Sequence, residues 1–260
     1  MHNPRNIIIT GATGEIGTAL ALSYAQPNNI LGLTGRNRER LEDLADQCQK
    51  KGADVIIQEA DLSDSEPLSQ WVVDFDNQHP VDLVIANAGI TSNTAPHGDS
   101  ESWETIKKVF DINLFGALGT ITPLVEPMRK RGRGQIAIMS SLGGYRGLPI
   151  TPAYCGSKAA IKVYGEALRG LVATDGVAVS VICPGFVKSA MSDNFPGPKP
   201  FMISPQVAAK IIVRGLSKNR ARISFPFPLN LGVWFLSMLP SAFADFILSK
   251  LKYGAPPQRK

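Results

Sequence analysis

The sequence predicts a single α/β domain built on a doubly wound parallel sheet of about seven strands, with helices on both faces. Short, continuous apolar runs alternate with longer segments of helical periodicity, as expected of strands buried on both faces. Several of these runs end in turns rich in glycine or asparagine. The 260 residues are 44% hydrophobic and 19% charged, which suits a sizeable core.

The first unit of the predicted fold is a strand, a glycine turn and a helix. Residues 6–10 form the apolar run, and residues 18–25 have a helical pattern. Between them stands Gly11-Ala12-Thr13-Gly14-Glu15-Ile16-Gly17. Glycines placed here allow a tight turn, let the backbone approach a pyrophosphate and point helix N–H groups at it. The pattern therefore predicts a Rossmann-like nucleotide site, with a turn that binds nothing as the alternative.

The second strand, residues 30–34, bears on the choice of nucleotide. In dinucleotide folds its end approaches the adenosine ribose, and a carboxylate there accepts from the 2′-hydroxyl of NAD. Here the end reads Thr34-Gly35-Arg36-Asn37-Arg38, without an acid. A guanidinium binds a 2′-phosphate with two hydrogen bonds. We therefore infer NADP(H) rather than NAD, with Arg36 as the main contact; an arginine lying in solvent is the alternative.

The rest of the chain continues the alternation of strands and helices. We expect further strands at 54–58, 81–86, 135–139, 177–182 and 221–225. A long helix is predicted over about 103–131, interrupted near Pro123 and Pro127. Asn113 is the polar exception in its apolar stripe, and it should bond neighbouring backbone or bend the helix. Residues 186–204, rich in Pro and Gly, predict a mobile flap over a ligand.

The stretch 141–158 carries the strongest chemical signal. Tyr154 and Lys158 are four residues apart, so on a helix they share one face. A nearby cation favours phenolate, so we expect Tyr154 to exchange protons well below its unperturbed pKa of about 10. Ser141 follows the apolar run that ends at Met139. Alone, the Tyr-x-x-x-Lys pair also suits an ordinary solvated helix surface.

Taken together, these motifs resemble the classical short-chain dehydrogenase/reductase family over about residues 5–225. The resemblance rests on the ordered set Thr10-Gly11-x-x-Gly14-x-x-Gly17, Asp61, Asn87-Ala88-Gly89, Asn113, Ser141, Tyr154-x-x-x-Lys158 and Pro184-Gly185. It implies that Tyr154 is the general acid in ketone reduction and that Ser141 bonds the substrate oxygen. Lys158 would hold the nicotinamide ribose and lower the tyrosine pKa, and Asn113 would anchor a water on a proton path.

The resemblance also implies the remaining cofactor contacts. Asp61, with Leu62 beside it, would approach the adenine amino group, and Asn87, Ala88 and Gly89 the adenosine ribose. Pro184, Gly185, Val187 and Ser189 would lie near the carboxamide. Two departures stand out. The G-x-x-G-x-x-G spacing resembles the extended branch of the family, which includes nucleotide-sugar epimerases, and Ser189 replaces a commoner threonine. We keep the classical interpretation, because Asn87-Ala88-Gly89 and Asn113 match it.

The charge and the cysteine content indicate which classes of partner and which compartment to expect. The net charge of +5 lies partly in residues 129–133 and in the tail, as expected of solvated loops, and no nucleic-acid motif accompanies it. Three cysteines far apart, none with metal-ligand spacing, predict no metal site and reduced thiols in the cytoplasm. The N-terminus lacks the long apolar core of a signal peptide.

Residues 226–260 form an apolar extension of the predicted catalytic domain, residues 1–225. The stretch from Leu229 to Leu248 approaches membrane-spanning length, but Pro240 and Asp245 argue against a simple span. Three interpretations stay open for residues 226–252: a wall of the substrate site, an oligomer contact, or a segment in a membrane interface beside a basic tail. A lipid-like or polyprenyl-linked substrate would unite the first and third.

The sequence thus predicts an NADP(H)-dependent enzyme that reduces a ketone or oxidises the matching secondary alcohol, with Tyr154 as general acid or base. Reduction is the favoured direction, because this cofactor is usually kept reduced in cells. We expect a homo-oligomer, a dimer or tetramer. Alternatives are an epimerase or dehydratase that uses the cofactor transiently, and a non-catalytic NADP-binding interaction protein. The second has no chemical need for the set Asn113, Ser141, Tyr154 and Lys158.

Overall fold

A computed structural model of the chain describes residues 3–92 and 100–251. Seven parallel strands form one sheet in the order β3-β2-β1-β4-β5-β6-β7. The strands are β1 (Asn6–Ile9), β2 (Ile30–Gly35), β3 (Asp54–Glu59), β4 (Leu83–Ala86), β5 (Gly134–Met139), β6 (Val177–Pro184) and β7 (Arg222–Phe225). The order reverses between β1 and β4, so the carboxyl ends of these neighbours diverge into a crevice.

Helices cover both faces of the sheet, which confirms the predicted doubly wound α/β fold. They are α1 (Glu15–Tyr24), α2 (Arg38–Gln49), α3 (Ser65–Gln78), α4 (Trp103–Phe110), α5 (Ala117–Arg131), α6 (Pro152–Leu171), α7 (Ala190–Asp193), α8 (Pro205–Ser217), α9 (Leu229–Met238) and α10 (Ser241–Lys250). Side chains of Asn37, Asp64, Ser102 and Ser204 cap α2, α3, α4 and α8. At α1 the cap is Gly14, which supplies no side-chain acceptor.

Two apolar layers sandwich the sheet. Side chains of β1 alternate between them: Ile7 and Ile9 enter the layer with α1 and α8, whereas Ile8 enters the layer with α3 and α5. All three are fully buried, as the continuous apolar run predicts. The six remaining predicted strands are also present, and β6 continues to Pro184, two residues beyond its predicted end.

The long helix is interrupted at a different place from the predicted one. Pro123 and Pro127 lie inside an unbroken α5, and the irregular segment is a π-helical turn over Asp111–Gly116. Asn113 lies in this turn, where Oδ1 accepts from the Ile90 N–H at 2.8 Å and Nδ2 donates to the Ile90 carbonyl at 2.9 Å. The prediction near the prolines was therefore wrong, because these long-range bonds, rather than local ring geometry, determine where the helix departs from regularity.

The flap, residues 186–204, and residues 226–251 of the C-terminal extension contain regular structure. Residues 186–204 contain the short helix α7 and a parallel bridge between Val187 and Ile203; their mobility stays a prediction. In the tail, α9 and α10 are joined at Pro240. Among the described residues, the continuous helical stretch 103–131 has the length and apolar character to cross a bilayer, yet half of its apolar window is buried in the fold.

Candidate active site

One large cleft of about 910 Å³ opens at the carboxyl ends of the strands. Every predicted cofactor or catalytic residue except Asn113 lines it. These residues are Gly11, Thr13, Gly14, Glu15, Ile16, Gly17, Arg36, Asp61, Leu62, Asn87, Ala88, Gly89, Ser141, Tyr154, Lys158, Pro184, Gly185, Val187 and Ser189. A parallel sheet brings them together because each strand delivers its following turn to the same edge.

The glycine turn between β1 and α1 is packed too closely for side chains. Gly11 has φ +63°, and a Cβ on it would lie 2.7 Å from the Ala88 Cα. A Cβ on Gly17 would lie 2.2 Å from the Gly11 carbonyl oxygen. Asn87 holds the turn through Nδ2, which donates to the carbonyls of Thr10 and Gly11 at 3.0 and 3.1 Å. The first N–H groups of α1 therefore face the cleft with no side-chain cap at Gly14.

Two arginines stand at the end of the cleft beside β2. Arg36 and Arg40 both line it, and neither has an ion-pair partner within residues 3–92 and 100–251. Arg38, between them, pairs instead with Glu42 at 2.8 Å. Asp61 lies nearby: the Ser63 N–H and, to a smaller extent, Arg36 hold the pKa of its carboxyl below the usual value. Arg36 was predicted from the sequence and Arg40 was not, because Arg40 lies in the first turn of α2, beyond the end of β2 on which the prediction rested.

Glu15 and Ser189 connect the glycine turn to the flap. The Glu15 carboxylate accepts from the Ala190 N–H at 3.0 Å. Ser189 caps α7, since its Oγ accepts from the Ser192 N–H at 3.1 Å and donates to the Val187 carbonyl at 3.2 Å. The Ser189 hydroxyl, at the position where threonine is commoner in the family, therefore forms its hydrogen bonds within the flap.

Tyr154, Ser141 and Lys158 meet at the middle of the cleft. Ser141 follows β5 and accepts from the Gly143 N–H at 3.0 Å, which orients its hydroxyl. Tyr154 and Lys158 occupy successive turns of α6, with the Lys158 Nζ 5.9 Å from the centre of the tyrosine ring. Nζ also donates to the Met139 carbonyl at 2.9 Å. The ammonium is thereby held between the end of β5 and the phenol.

The expected lowering of the tyrosine pKa is wrong for this structure. Burial raises the pKa of Tyr154 to about 12, and the hydrogen bond with Ser141 only partly opposes that rise. Burial also lowers the pKa of Lys158 to about 8. Burial in a site of low dielectric disfavours the charged form of each group, and for the phenol this desolvation is the largest cause of the pKa shift. Tyr154 is accordingly a protonated donor over the neutral pH range.

Asn113 and Gly89 lie directly behind Lys158. Asn113 is buried, and its Nδ2 also donates to the Ser157 Oγ at 3.0 Å. A Cβ on Gly89 would lie 3.1 Å from both the Asn113 Oδ1 and the Lys158 Nζ. The three residues therefore form one packed unit. Asn113 therefore lies beside the Lys158 side chain, but it does not itself line the cleft.

The opposite wall of the cleft is apolar and comes from segments that no motif identified. The flap contributes Phe186, Met191, Phe195 and Phe201, and the tail contributes Leu229, Val233, Phe235, Leu236, Leu239, Ile247, Leu248 and Leu251. Arg146 also lines this part and forms an ion pair with Asp245 of α10. Of the three interpretations of the tail, the wall of the cleft is the one that this geometry supports directly.

Comparison with known proteins places the chain in a family. Residues 5–198 match the model of the short chain dehydrogenase family. An uncharacterized oxidoreductase of Myxococcus xanthus is 31% identical over 249 residues, covering 95% of this chain and 98% of that protein. A 3-oxoacyl-[acyl-carrier-protein] reductase of Rickettsia typhi is 31% identical over 187 residues, covering 72% and 74%.

A solved structure agrees on the fold. A short-chain dehydrogenase from Sphingobium yanoikuyae, in complex with NADPH, superposes with a TM-score of 0.78 at 18% identity, covering 98% of this chain and all of that one. The chain belongs to the short-chain dehydrogenase/reductase family and is an oxidoreductase of that family. The family resemblance found in the sequence is thereby confirmed; the roles of individual residues stay predictions.

Proposed function

We propose that the protein is an NADP(H)-dependent reductase of lipophilic ketones, able to oxidise the matching secondary alcohols. One observation carries this proposal. A protonated phenol, a serine hydroxyl and a buried ammonium converge between a glycine turn with uncapped helix N–H groups and an apolar wall. A site of this composition can bind a nucleotide at one end and an uncharged substrate at the other.

The residues present suit a dinucleotide phosphate. Gly11 and Gly17 pack directly against Ala88 and the Gly11 carbonyl, so the turn is tight and its backbone, without side chains, is what a pyrophosphate would meet at the start of α1. Arg36 and Arg40 offer two guanidinium groups to a 2′-phosphate. Asn87, Ala88 and Gly89 would contact the adenosine side, and Lys158 the ribose next to the nicotinamide. NADPH in the Sphingobium yanoikuyae structure supports a cofactor of this class.

The chain's own residues supply the proton and hold the substrate oxygen. A nicotinamide cofactor, when bound, would supply the hydride for the carbonyl carbon. The hydroxyls of Ser141 and Tyr154 would donate hydrogen bonds to the carbonyl oxygen as negative charge develops on it. Tyr154 would then transfer its proton to that oxygen, completing the alcohol, and the Lys158 ammonium would stabilise the phenolate left behind. Asn113, bonded to Ile90 and Ser157, would keep Lys158 in place for reprotonation.

The apolar wall supports a lipid-like substrate. Side chains of the flap and of α9 and α10 face the cleft, and Arg146, its cation in this part, is neutralised by Asp245. The Rickettsia typhi relative is named for a 3-oxoacyl group, an aliphatic ketone. We therefore favour long-chain, isoprenoid-like or polyprenyl-linked ketones over sugars.

The decisive assay follows NADPH oxidation with a panel of ketones from small sugars to long-chain and prenyl-linked compounds. We expect turnover that rises with chain length and prefers NADPH to NADH. Arg36→Ala should raise the KM for NADPH about 30-fold while leaving that for NADH nearly unchanged, because it removes a bidentate phosphate contact. Arg38→Ala, whose guanidinium pairs with Glu42 outside the cleft, is the matched control.

Other outcomes of this assay would refute the proposal. A nucleotide that stays bound through purification, without net oxidation or reduction of added substrate, would identify an epimerase or dehydratase. Reversible NADPH binding with no turnover on any ketone or alcohol would identify a binding protein.

We also propose that the protein is a cytoplasmic homo-oligomer. Large apolar side chains are exposed on α4 and α6, which pack together: Trp103 is 70% exposed, Val163 58% and Leu171 65%. Large apolar side chains exposed on two helices that pack together are suited to contact with a second copy. Light scattering after size exclusion should give the mass of a dimer or tetramer, and Val163→Glu should lower it.

A further inference from the structure

The last two helices have an apolar outer surface in addition to the inner one that lines the cleft. On α9 the inner set Leu229, Gly232, Val233 and Leu236 has helical spacing, and so does the outer set Leu231, Trp234, Phe235 and Met238. Members of the outer set are 43–56% exposed. Phe235 reaches both surfaces, since it also lines the cleft.

The same division is found on α10. Ile247, Leu248 and Leu251 line the cleft, whereas Phe243 and Phe246 are 54% and 55% exposed. Phe227, just before α9, is 77% exposed. We refer to Phe227, Leu231, Trp234, Met238, Phe243 and Phe246 as the outer face. Large apolar side chains exposed together in this way require a partner, whereas scattered ones do not.

The charges around the outer face suit an anionic partner. Residues 226–260 contain four basic side chains, Lys250, Lys252, Arg259 and Lys260, and a single acidic one, Asp245. That acid is paired with Arg146. The Lys250 Nζ lies 5.5 Å from the ring centre of Phe246, so a cation borders the apolar surface. Residues 252–260, which directly follow Leu251, add three basic side chains and no acidic one.

We propose that the outer face docks on an anionic lipid surface, and that lipophilic substrate enters the cleft from that surface between α9 and α10. Apolar side chains, a tryptophan and neighbouring lysines are the combination that places a helix in a membrane interface. The inner sets of the same helices form the cleft wall, so the route from lipid to active site stays apolar. The access route rests on the proposed reductase function; the docking does not.

Docking is tested with full-length protein and sedimented vesicles. The vesicles consist of phosphatidylcholine alone or with about one-third phosphatidylglycerol. We expect binding to the anionic vesicles to exceed that to the neutral ones about tenfold, and 0.5 M salt to reduce the difference. The double variant Trp234→Glu/Phe243→Glu should lose at least about tenfold in binding. Val207→Glu, at a similarly exposed apolar residue of α8, should leave binding unchanged.

Tryptophan fluorescence locates the contact. The chain has three tryptophans, Trp71, Trp103 and Trp234, so two Phe substitutions leave one reporter. Lipids brominated in the acyl chain should quench Trp234 and leave Trp103 on α4 unquenched. Equal quenching of both, or of neither, would overturn the docking. The docking would also be overturned if the wild type bound no lipid and its mass in solution halved in the Trp234→Glu variant. That result would show that a second copy covers the outer face.

Catalysis separates the access route from the function itself. Anionic vesicles should lower the KM of the wild type for a long-chain ketone and leave the KM for a small water-soluble ketone unchanged. In the Trp234→Glu/Phe243→Glu variant, vesicles should no longer lower the KM for the long-chain ketone, and turnover of the small ketone should equal that of the wild type. Vesicle binding without this effect would refute access from the lipid. Binding without turnover on either ketone would refute the proposed function and leave the docking intact.

Discussion

The floor of the cleft and its C-terminal wall face the same space but are built on opposite principles. The floor consists of strand ends and α6, with the π-helical turn packed behind them; Ser157 and Lys158 of α6 and Asn113 of that turn are buried polar groups with hydrogen-bond partners. The wall consists of α9 and α10. Although α9 is among the most apolar helices of the described chain, none of its residues is buried, and α10 buries only Ala244 and Leu248.

This difference separates two tasks. In the floor, satisfied polar groups and close backbone approaches fix a few atoms within narrow limits, as proton transfer requires. In the wall, few contacts fix the helices, and the apolar surface can adapt to the shape of a ligand. We therefore expect substitutions in the floor to change the rate or the folding equilibrium strongly, and substitutions in the wall to change mainly substrate affinity.

The largest effect should come from Tyr154→Phe. Removing the proton donor should lower kcat at least about 100-fold, the usual contribution of a general acid. The Kd for NADPH, measured by fluorescence titration, should change less than about twofold. Tyr164→Phe on the same helix, outside the cleft, should retain full activity. Turnover by Tyr154→Phe equal to that of the wild type would remove the chemical distinction between floor and wall.

Lys158→Met should abolish most activity and yet stabilise the cofactor-free protein. Burial lowers the pKa of Lys158 from its ordinary value of 10.5 to about 8, so charging it in the folded state is unfavourable. Between these pH values the unfolded state binds more protons, and the stability of the wild type gains a contribution that rises with pH. At pH 7 the variant should be more stable by about 2 kcal/mol, because the cost of burying the ammonium disappears and the lost bond to Met139 offsets only part of that gain.

Denaturant unfolding from pH 7 to 10.5 provides the measurement for Lys158→Met. The stability advantage of the variant should shrink as the pH rises through that interval and reverse before pH 10.5, because a shift of this size corresponds to about 3 kcal/mol. Lys162→Met, with Lys158 intact, should follow the wild type. A difference that is constant with pH would show that burial does not lower the pKa of Lys158.

Gly89→Ala should lower kcat/KM about tenfold. The added methyl would press on Asn113 and Lys158 at 3.1 Å, so both must move by a few tenths of an ångström. Gly170→Ala in α6 is the control, because its Cβ would meet no atom within 4 Å. That control should keep its activity and unfold at a slightly higher temperature, since alanine stabilises a helix by about 0.5–1 kcal/mol relative to glycine. Equal activities of the two variants would mean that the floor tolerates displacement.

The smallest effect should come from Asp245→Asn, at the contact between the two regions. Asp245 is 66% exposed on its side chain, and its ion pair with Arg146 joins α10 to the segment after Ser141. An exposed pair contributes about 0.2–1 kcal/mol, so thermal unfolding should change little. The KM for long-chain ketones should rise about threefold with kcat unchanged. A fall in kcat instead would show that the wall also positions the floor.

Local patterns were sufficient to predict the strands and most of the site. Apolar runs such as residues 6–10 need no distant partner to be recognised, and the turns that follow them necessarily meet at one sheet edge. The position of the helix interruption could not be predicted in this way, because Asn113 is held by Ile90 and Ser157, both distant in sequence. Pro123 and Pro127 are the stronger local signal for an interruption, but the tertiary hydrogen bonds of Asn113 place the interruption elsewhere.

Neither the pKa of Tyr154 nor the set of side chains that forms the wall of the cleft could be predicted from the sequence. Spacing shows that a lysine is near, but the tyrosine pKa depends chiefly on burial, which the tertiary structure determines. Likewise, apolar residues of the tail suit several partners equally. Only the packing of α9 and α10 beside the flap shows which side chains face the cleft.

The π-helical turn at 111–116 has a consequence for insertions and deletions. Such a turn accommodates one residue more than an α-helical turn, and each residue rotates a helix by about 100°. Deleting one residue there would give a straighter, more regular helix, but it would also rotate α4 relative to α5 and point Asn113 away from Ile90. Length in this segment is therefore constrained as tightly as residue identity.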